Sequence, residues 1–336
     1  MPNWCANHLD ITGEPSQLKA LEDWLTGKSP LLAYQRAIYQ SIKLLVAGCA
    51  GIRVPTLLEH ETQPVQWNFP PLPQLVSPGT TGVFSPEDLA FTRWLKLLKC
   101  NPALDKHYCQ VIEHYWQQSG LKDIRWENLT DAQQETVNTL FHKKYADWFG
   151  TLASDKPMSF AELWNDMGTD ALPVQSFRMD MRELIPTCLA YELNGFSGGL
   201  WYPLSDDEPD RERWRNFQPR SSGYGLYLDL YGIKSPEAYN LHYNRHSTGN
   251  MTVDFDSPWS PPNDAVMEAL SKRFDCQLVH YYCEEGDCFC GRGEYEQGTL
   301  IERVCDELVY GEMDDEGMSE IIGPDYILEN ISHFGG

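Results

Sequence analysis

Five side chains that could hold a soft metal crowd one short stretch of this chain: Cys276, His280, Cys283, Cys288 and Cys290. Zinc asks for four convergent nitrogen or sulfur ligands, usually with a tight C-x₂₋₄-C pair on a knuckle. Here Cys283 and Cys288 flank a predicted turn, and Cys288 and Cys290 share one face of the strand that follows it. Cys276 and Cys283 have opposite parity, so a regular strand sends them to opposite sides. Reduced thiols, a metal site and a redox pair are the three readings. The spacing favours the first, and no metal site is assigned.

The remaining motifs carry less chemistry. His107 and His114, with Glu113 beside the second, lie on one face of a predicted helix. At 1.5 Å rise per residue they stand about 10 Å apart, too far to share an ion without a bridging ligand. Asn194-Gly195-Phe196-Ser197-Gly198-Gly199 is rich in glycine but lacks the Lys and Ser/Thr of a phosphate-binding loop. Gly291-x-Gly293 is no more informative, and neither a G-x-S-x-G elbow nor an H-E-x-x-H pair is present. Asp206-Asp207-Glu208-x-Asp210 runs straight into Arg211, Arg213 and Arg215, a self-neutralising surface loop. No catalytic residue and no cofactor is assigned, so the chain is expected to be non-enzymatic.

Charge is more telling. The 336 residues hold 26 Lys and Arg against 49 Asp and Glu, a formal charge of −23. Nucleic-acid backbones and anionic membranes both demand cations, so neither partner is expected. The imbalance is local: residues 1–150 carry 15 acids and 13 bases, whereas residues 251–336 carry 20 acids and 4 bases. Such an end reads either as a solubilising tail or as an acidic surface competing for the cationic groove of a DNA-handling protein. Glu284, Glu285, Asp287, Glu312, Asp314, Asp315 and Glu316 are the candidate partner-binding residues on the second reading.

These residues must be positioned by a scaffold, and the patterning suggests one. In residues 3–11, Cys5, Leu9 and Ile11 share one parity and His8 and Asp10 the other, as in a half-buried strand. Gly13 breaks it, and Pro15 opens a helix with Leu18, Leu21 and Leu25 on one face. Helical spacing dominates residues 34–46, a Ser85-Pro86 start follows, and 105–119, 131–149 and 159–167 supply further helices. Strand texture is expected to return at 224–231 and at 250–255, before a helix capped by Ser260 and a hairpin over 276–296. Residues 304–336 read as a short acidic helix or loop region. Trp4, Trp24, Trp94 and Trp164 sit in apolar patterns and read as core. The segments 250–255 and 276–283 hold no Lys or Arg, which argues against an RNA-binding sheet.

The economical architecture is α+β: a split ferredoxin-like sandwich, strand-helix from the N-terminus and strand-helix-strand-strand from the C-terminal part, around a long, mostly helical insertion. The expected domains are 1–28 with 222–300, the insertion 29–221, and an acidic segment 301–336. The start of the chain lacks a basic and apolar leader, and its longest uncharged, mostly apolar run, 44–52, is far short of the about 20 residues a membrane span requires. The ten cysteines are then expected to be reduced, and the location cytoplasmic.

Three blocks point to a family. Met1-Pro2-Asn3-Trp4-Cys5 with Asn7, Leu9, Ile11 and Gly13 resembles the opening of the Api92-like (YubB-like) proteins of phages and conjugative plasmids. Ile42-Lys43-Leu44 with Ala47-Gly48-Cys49-Ala50-Gly51 resembles a second marker, and Phe255-Asp256, Trp259-Ser260-Pro261-Pro262, Gly286 and Phe289-Cys290-Gly291 a third. The resemblance implies a ferredoxin-like C-terminal domain and a setting on mobile elements, and it supplies no mechanism. Where relatives carry Trp-Gly-Thr-Lys-Trp, this chain has Tyr231-Gly232-Ile233-Lys234-Ser235, so no role of those tryptophans carries over. The leading expectation is an accessory protein that binds and inhibits a host defence, restriction or DNA-processing protein. An enzyme or small-molecule binder with a pocket between sandwich and insertion is the alternative, and an assembly protein a third reading.

Overall fold

The computed structural model describes residues 3–26, 31–56, 85–149, 158–169, 179–200, 222–313 and 319–332. Two compact units result, one from Met1–Leu31, Ser176–Ile185 and Tyr224–Gly336, the other from Leu32–Gln175 and Pro186–Gly223.

The first unit is built on a sheet whose one face carries two long helices. Its strands are β1 (Trp4–Thr12), β2 (Tyr239–Arg245), β3 (Asn250–Pro258), β4 (Gln277–Glu284), β5 (Phe289–Glu296) and β6 (Thr299–Glu307). They lie in the order β2-β3-β1-β4-β5-β6, every neighbour antiparallel. The first four strands thus have the ferredoxin-like order, and β5 and β6 extend it. Helix α1 (Pro15–Leu25) follows β1. Leu9 and Ile11 of β1, Met251, Val253 and Phe255 of β3 and Leu278 of β4 all point to one side. There they bury Leu18, Leu21 and Trp24 of α1 and Val266, Met267 and Leu270 of the helix between β3 and β4.

The strap Ser176–Ile185 joins this unit through its described residues. Met179 and Met181 enter its core, and the Glu183 carboxylate accepts from Trp24 Nε1 at 2.6 Å.

The second unit is helical: α2 (Leu31–Cys49), α3 (Pro86–Cys100), α4 (Lys106–Gln118), α5 (Asp131–Phe149), α6 (Phe160–Asp166) and α7 (Leu189–Asn194). Ser85 caps α3 and Asp105 caps α4, each accepting a backbone N–H. Burial along α2 extends beyond a single stripe and encloses Lys43, whose Nζ has no hydrogen-bond partner among the described residues and faces the rings of Trp164 at 4.8 Å and Trp116 at 5.6 Å. Burial lowers its pKa to about 7, with Arg125 adding to the effect.

Three expectations are corrected. Residues 223–231 form helix α8 (Gly223–Tyr231), not a strand. Tyr and Leu alternate there but both are apolar, so the run has no polar face to set a period of two, and Tyr227 and Tyr231 are buried one helical turn apart. The second sheet strand is β2 instead, an edge strand with only Leu241 fully buried, which leaves no alternation to read. Helix α9 (Asp264–Phe274) is capped by Asn263, whose Oδ1 accepts from Val266 N, while the Ser260 hydroxyl donates to the Gly232 carbonyl at 2.7 Å. Finally, β6 runs on to Glu307, and β7 (Val309–Met313), β8 (Ser319–Gly323) and the one-turn α10 (Asp325–Leu328) follow. Among the described residues of the segment expected to be helix or loop, more than half are therefore strand.

Asn7 ties the central strand to both neighbours. Its Nδ2 donates to the Ser257 hydroxyl at 2.8 Å and the Phe255 carbonyl at 3.3 Å on β3, and its Oδ1 accepts from His280 Nε2 at 3.0 Å on β4. Burial holds His280 neutral, its pKa pushed down to about 3, and His8 adds to the shift. Asn7→Leu keeps the branched outline of the side chain but takes from the buried His280 Nε2 its Asn7 acceptor and from Ser257 one of its hydrogen bonds. It is expected to cost roughly 3 kcal/mol by urea denaturation, whereas a surface change such as Lys19→Ala should stay within about 0.5 kcal/mol.

Candidate functional site

The turn between β4 and β5 begins with a buried acid. The Glu284 carboxylate accepts from Gly286 N at 2.8 Å and Asp287 N at 2.6 Å, satisfying amides the turn would otherwise leave open. Glu284 therefore builds the turn and is not presented to solvent, while Glu285 and Asp287 are exposed. Leu308 N donates to the Cys288 carbonyl at 2.9 Å, and the Tyr310 hydroxyl to the Glu285 carbonyl at 3.3 Å. These bonds pin the corner between β6 and β7 against the turn.

Underneath, Ala6, Cys283 and Cys290 form an apolar patch on the sheet face opposite α1 and α9. Leu308, Ile327 and Ile331 cover it, and the Tyr326 hydroxyl donates to Asp306 at 3.1 Å. The β7–β8 hairpin and α10 are thereby fastened to one end of the sheet. Exposed on these elements and on β6 are Glu302, Asp306, Glu307, Glu312, Glu320, Asp325 and Glu329. Residues 299–336 contain ten acids and one base. That base, Arg303, is paired with Asp264.

Among the acids stand apolar side chains in solvent: Met313 at 73% exposure, Ile322 at 52%, Val309 at 50% and Leu328 at 39%. Exposed apolar side chains grouped on an ordered element and rimmed by charge are what a protein-docking surface offers. The fold thus brings Glu285, Asp287 and Glu312 to the β4–β5 turn and the hairpin fastened to it. Asp314, Asp315 and Glu316 lie outside the described residues.

The other candidates are dispersed or occupied. Cys276 and His280 face α1 and α9, Cys283 and Cys290 face away, and Cys288 sits exposed in the turn. Among the described residues no group of three His, Cys, Asp or Glu could hold a metal ion. His107 and His114 are exposed. In the Gly-rich loop the backbone carbonyls, not the amides, converge: Lys144 Nζ on α5 donates to the carbonyls of Asn194 at 2.6 Å and Gly198 at 2.7 Å, and pairs with Asp147. A phosphate loop needs the opposite polarity, so this loop is a holder for a buried ammonium. The acidic and basic run 206–215 lies outside the described residues.

One arrangement goes beyond what motif reading found. On the sheet face away from α1 and α9, His8 Nδ1 meets Asp254 at 2.6 Å and His8 Nε2 meets Asp10 at 3.4 Å. The shared parity of His8 and Asp10, repeated by Thr252 and Asp254 on β3, was the available signal. Both ring nitrogens are engaged, so this histidine is a clamped cation and not a free general base. Burial opposes its charge, but the hydrogen bond and charge of Asp254, helped by Asp10, outweigh it and raise the pKa above 6.5.

Comparison with known proteins gives a consistent answer. A family described as "Protein of unknown function (DUF1281)" matches residues 31–235, and one described as "Ferredoxin-like domain in Api92-like protein" matches residues 238–325. The crystal structure of a protein api92 from Yersinia pseudotuberculosis superposes with a TM-score of 0.74 at 31% identity, covering 93% of this chain and 100% of that one. Two uncharacterized Escherichia coli K12 proteins are similar. YubB is 34% identical over 47% of this chain and 98% of its own length, and YubA 36% identical over 53% of this chain and 99% of its own. No helix among the described residues is long and apolar enough to cross a membrane.

The His8 clamp makes stability depend on pH in a defined direction. A folded pKa raised above the unfolded value of about 6.5 gives stabilisation that is complete below that pH and vanishes as pH rises through the raised value. His8→Gln removes the titration while leaving His280 in place in both proteins. The gap in urea midpoint between wild type and variant should be widest near pH 5.5 and shrink towards pH 9. A gap that widens with pH would contradict the clamp.

Proposed function

The chain belongs to the Api92-like family, and on that premise we propose that it is a non-enzymatic accessory protein of a phage or conjugative plasmid which binds and inhibits a host protein. The target is a cytoplasmic defence, restriction or DNA-processing factor, and the docking surface is the acidic end of the sheet. The observation that carries this reading is the pairing of exposed acids with exposed apolar side chains on the fastened β7–β8 hairpin and α10. Acids alone would serve solubility, whereas Met313, Val309 and Ile322 in solvent have no such use. A groove that binds DNA supplies the matching cations, and an acidic protein competes there with the electrostatics of the duplex. The resemblance to proteins of phages and conjugative plasmids supports the setting.

The test is differential capture from Escherichia coli extract, with wild type and the triple variant Glu285→Lys, Asp287→Lys, Glu312→Lys side by side. All three positions are exposed, so the fold should survive. A stoichiometric DNA-handling or defence protein should be retained by the wild type, lost by about tenfold or more with the variant, and released by about 0.5 M salt. Retention indifferent to both changes would overturn the electrostatic reading.

A further inference from the structure

The strands β4 and β5 place Cys283 directly opposite Cys290, as partners in the antiparallel register. Partners in such a ladder have Cα atoms about 4.5 or 5.5 Å apart, within the roughly 4.4–6.8 Å that a disulfide spans. Both side chains point to the same face, away from α1 and α9, into one patch with Ala6, Leu308, Ile327 and Ile331. Both thiols are free. The neighbouring cysteines are excluded by parity: Cys5 lies beside Ala6 on β1, and Cys305 pairs with Gly291 on β6, so each points to the opposite face. Cys305 meets the Tyr282 hydroxyl there at 3.7 Å. Cys288 is in the turn, its Sγ donating to the Glu285 carbonyl at 3.3 Å.

We propose that Cys283 and Cys290 are a latent cross-strand disulfide, formed by exchange with a small disulfide of the glutathione class. The Cys290 thiolate attacks one sulfur of the oxidant, forming a mixed disulfide and expelling one thiolate, which takes up the proton that Cys290 gave up. The Cys283 thiolate then attacks the Cys290 sulfur and expels the second thiol. Two protein thiols are oxidised and one oxidant disulfide is reduced to two thiols. Burial raises both thiols, Cys283 to about 12, but at Cys290 the neighbouring Tyr326 hydroxyl opposes the rise, so Cys290 goes first. The bond would close a ring around the turn that carries Glu285 and Asp287.

Access is the control built into the fold. Leu308, Ile327 and Ile331 cover the pair, so exchange must wait for this cap to lift. The experiment incubates the reduced full-length protein with oxidised glutathione, blocks remaining thiols with N-ethylmaleimide, and maps the non-reduced digest by mass spectrometry. The expected product is lighter by two hydrogens, with Cys283 and Cys290 both protected from alkylation. It should form several-fold faster in Ile327→Ala. Cys288→Ser and Cys305→Ser should leave it unchanged. Cys283→Ser should strand the reaction as a glutathione adduct on Cys290. Full alkylation of both thiols at equilibrium in Ile327→Ala, or a bond to Cys288 or Cys305 instead, would overturn the proposal.

Discussion

The sheet unit depends on how β1 is held. This strand is central, yet both of its neighbours come from well over 200 residues later in the chain. Closing such a loop costs entropy before any contact repays it. Asn7 supplies side-chain bonds to both neighbours at once, through Ser257 and the Phe255 carbonyl on one side and His280 on the other. A one-residue slip would turn Leu9 and Ile11 out of the core and bring His8 and Asp10 into it. The amide of Asn7 and the apolar parity of β1 therefore specify the same register.

From that register the two faces acquire their characters. One buries Leu9, Ile11, Val253 and Phe255 beneath α1 and α9, and the other carries the His8 clamp and, at one end, Ala6 beside Cys283. The Ala6 end is where Leu308, Ile327 and Ile331 dock, so the acidic elements are anchored through an apolar patch on β1, β4 and β5. Self-repulsion among ten acids and one base would scatter a segment with no such anchor. The anchor turns charge into a surface.

The elements legible in the sequence were those whose two sides differ. Met251, Val253 and Phe255 alternate with polar residues, and β3 followed; Ser85-Pro86 announced α3 through its cap. Reading failed where contrast vanished. Tyr and Leu in every position of 226–228 conceal the helical period of α8, and β6 is exposed or half-buried at every residue, so it has no buried parity to read. The acidity of the C-terminal quarter was plain in the composition, but not its division of labour. Glu284 and Glu285 are adjacent and chemically alike, yet one caps a turn from inside and the other faces water. Only the hydrogen-bond geometry of the turn distinguishes them. The Gly-rich loop is a similar case, since glycine content cannot say whether amides or carbonyls converge, and here Lys144 receives the carbonyls.

The central claim is that the acidic end is a folded surface and not a solubilising tail. Amide hydrogen exchange on the free protein, followed by mass spectrometry, tests this most directly. The account predicts that the hydrogen-bonded amides of 308–313, 319–323 and 327–331 exchange far more slowly than an unfolded chain, protected by the same docking that buries Ile327. Exchange at unfolded-chain rates throughout 308–331, with 250–258 still protected, would contradict it.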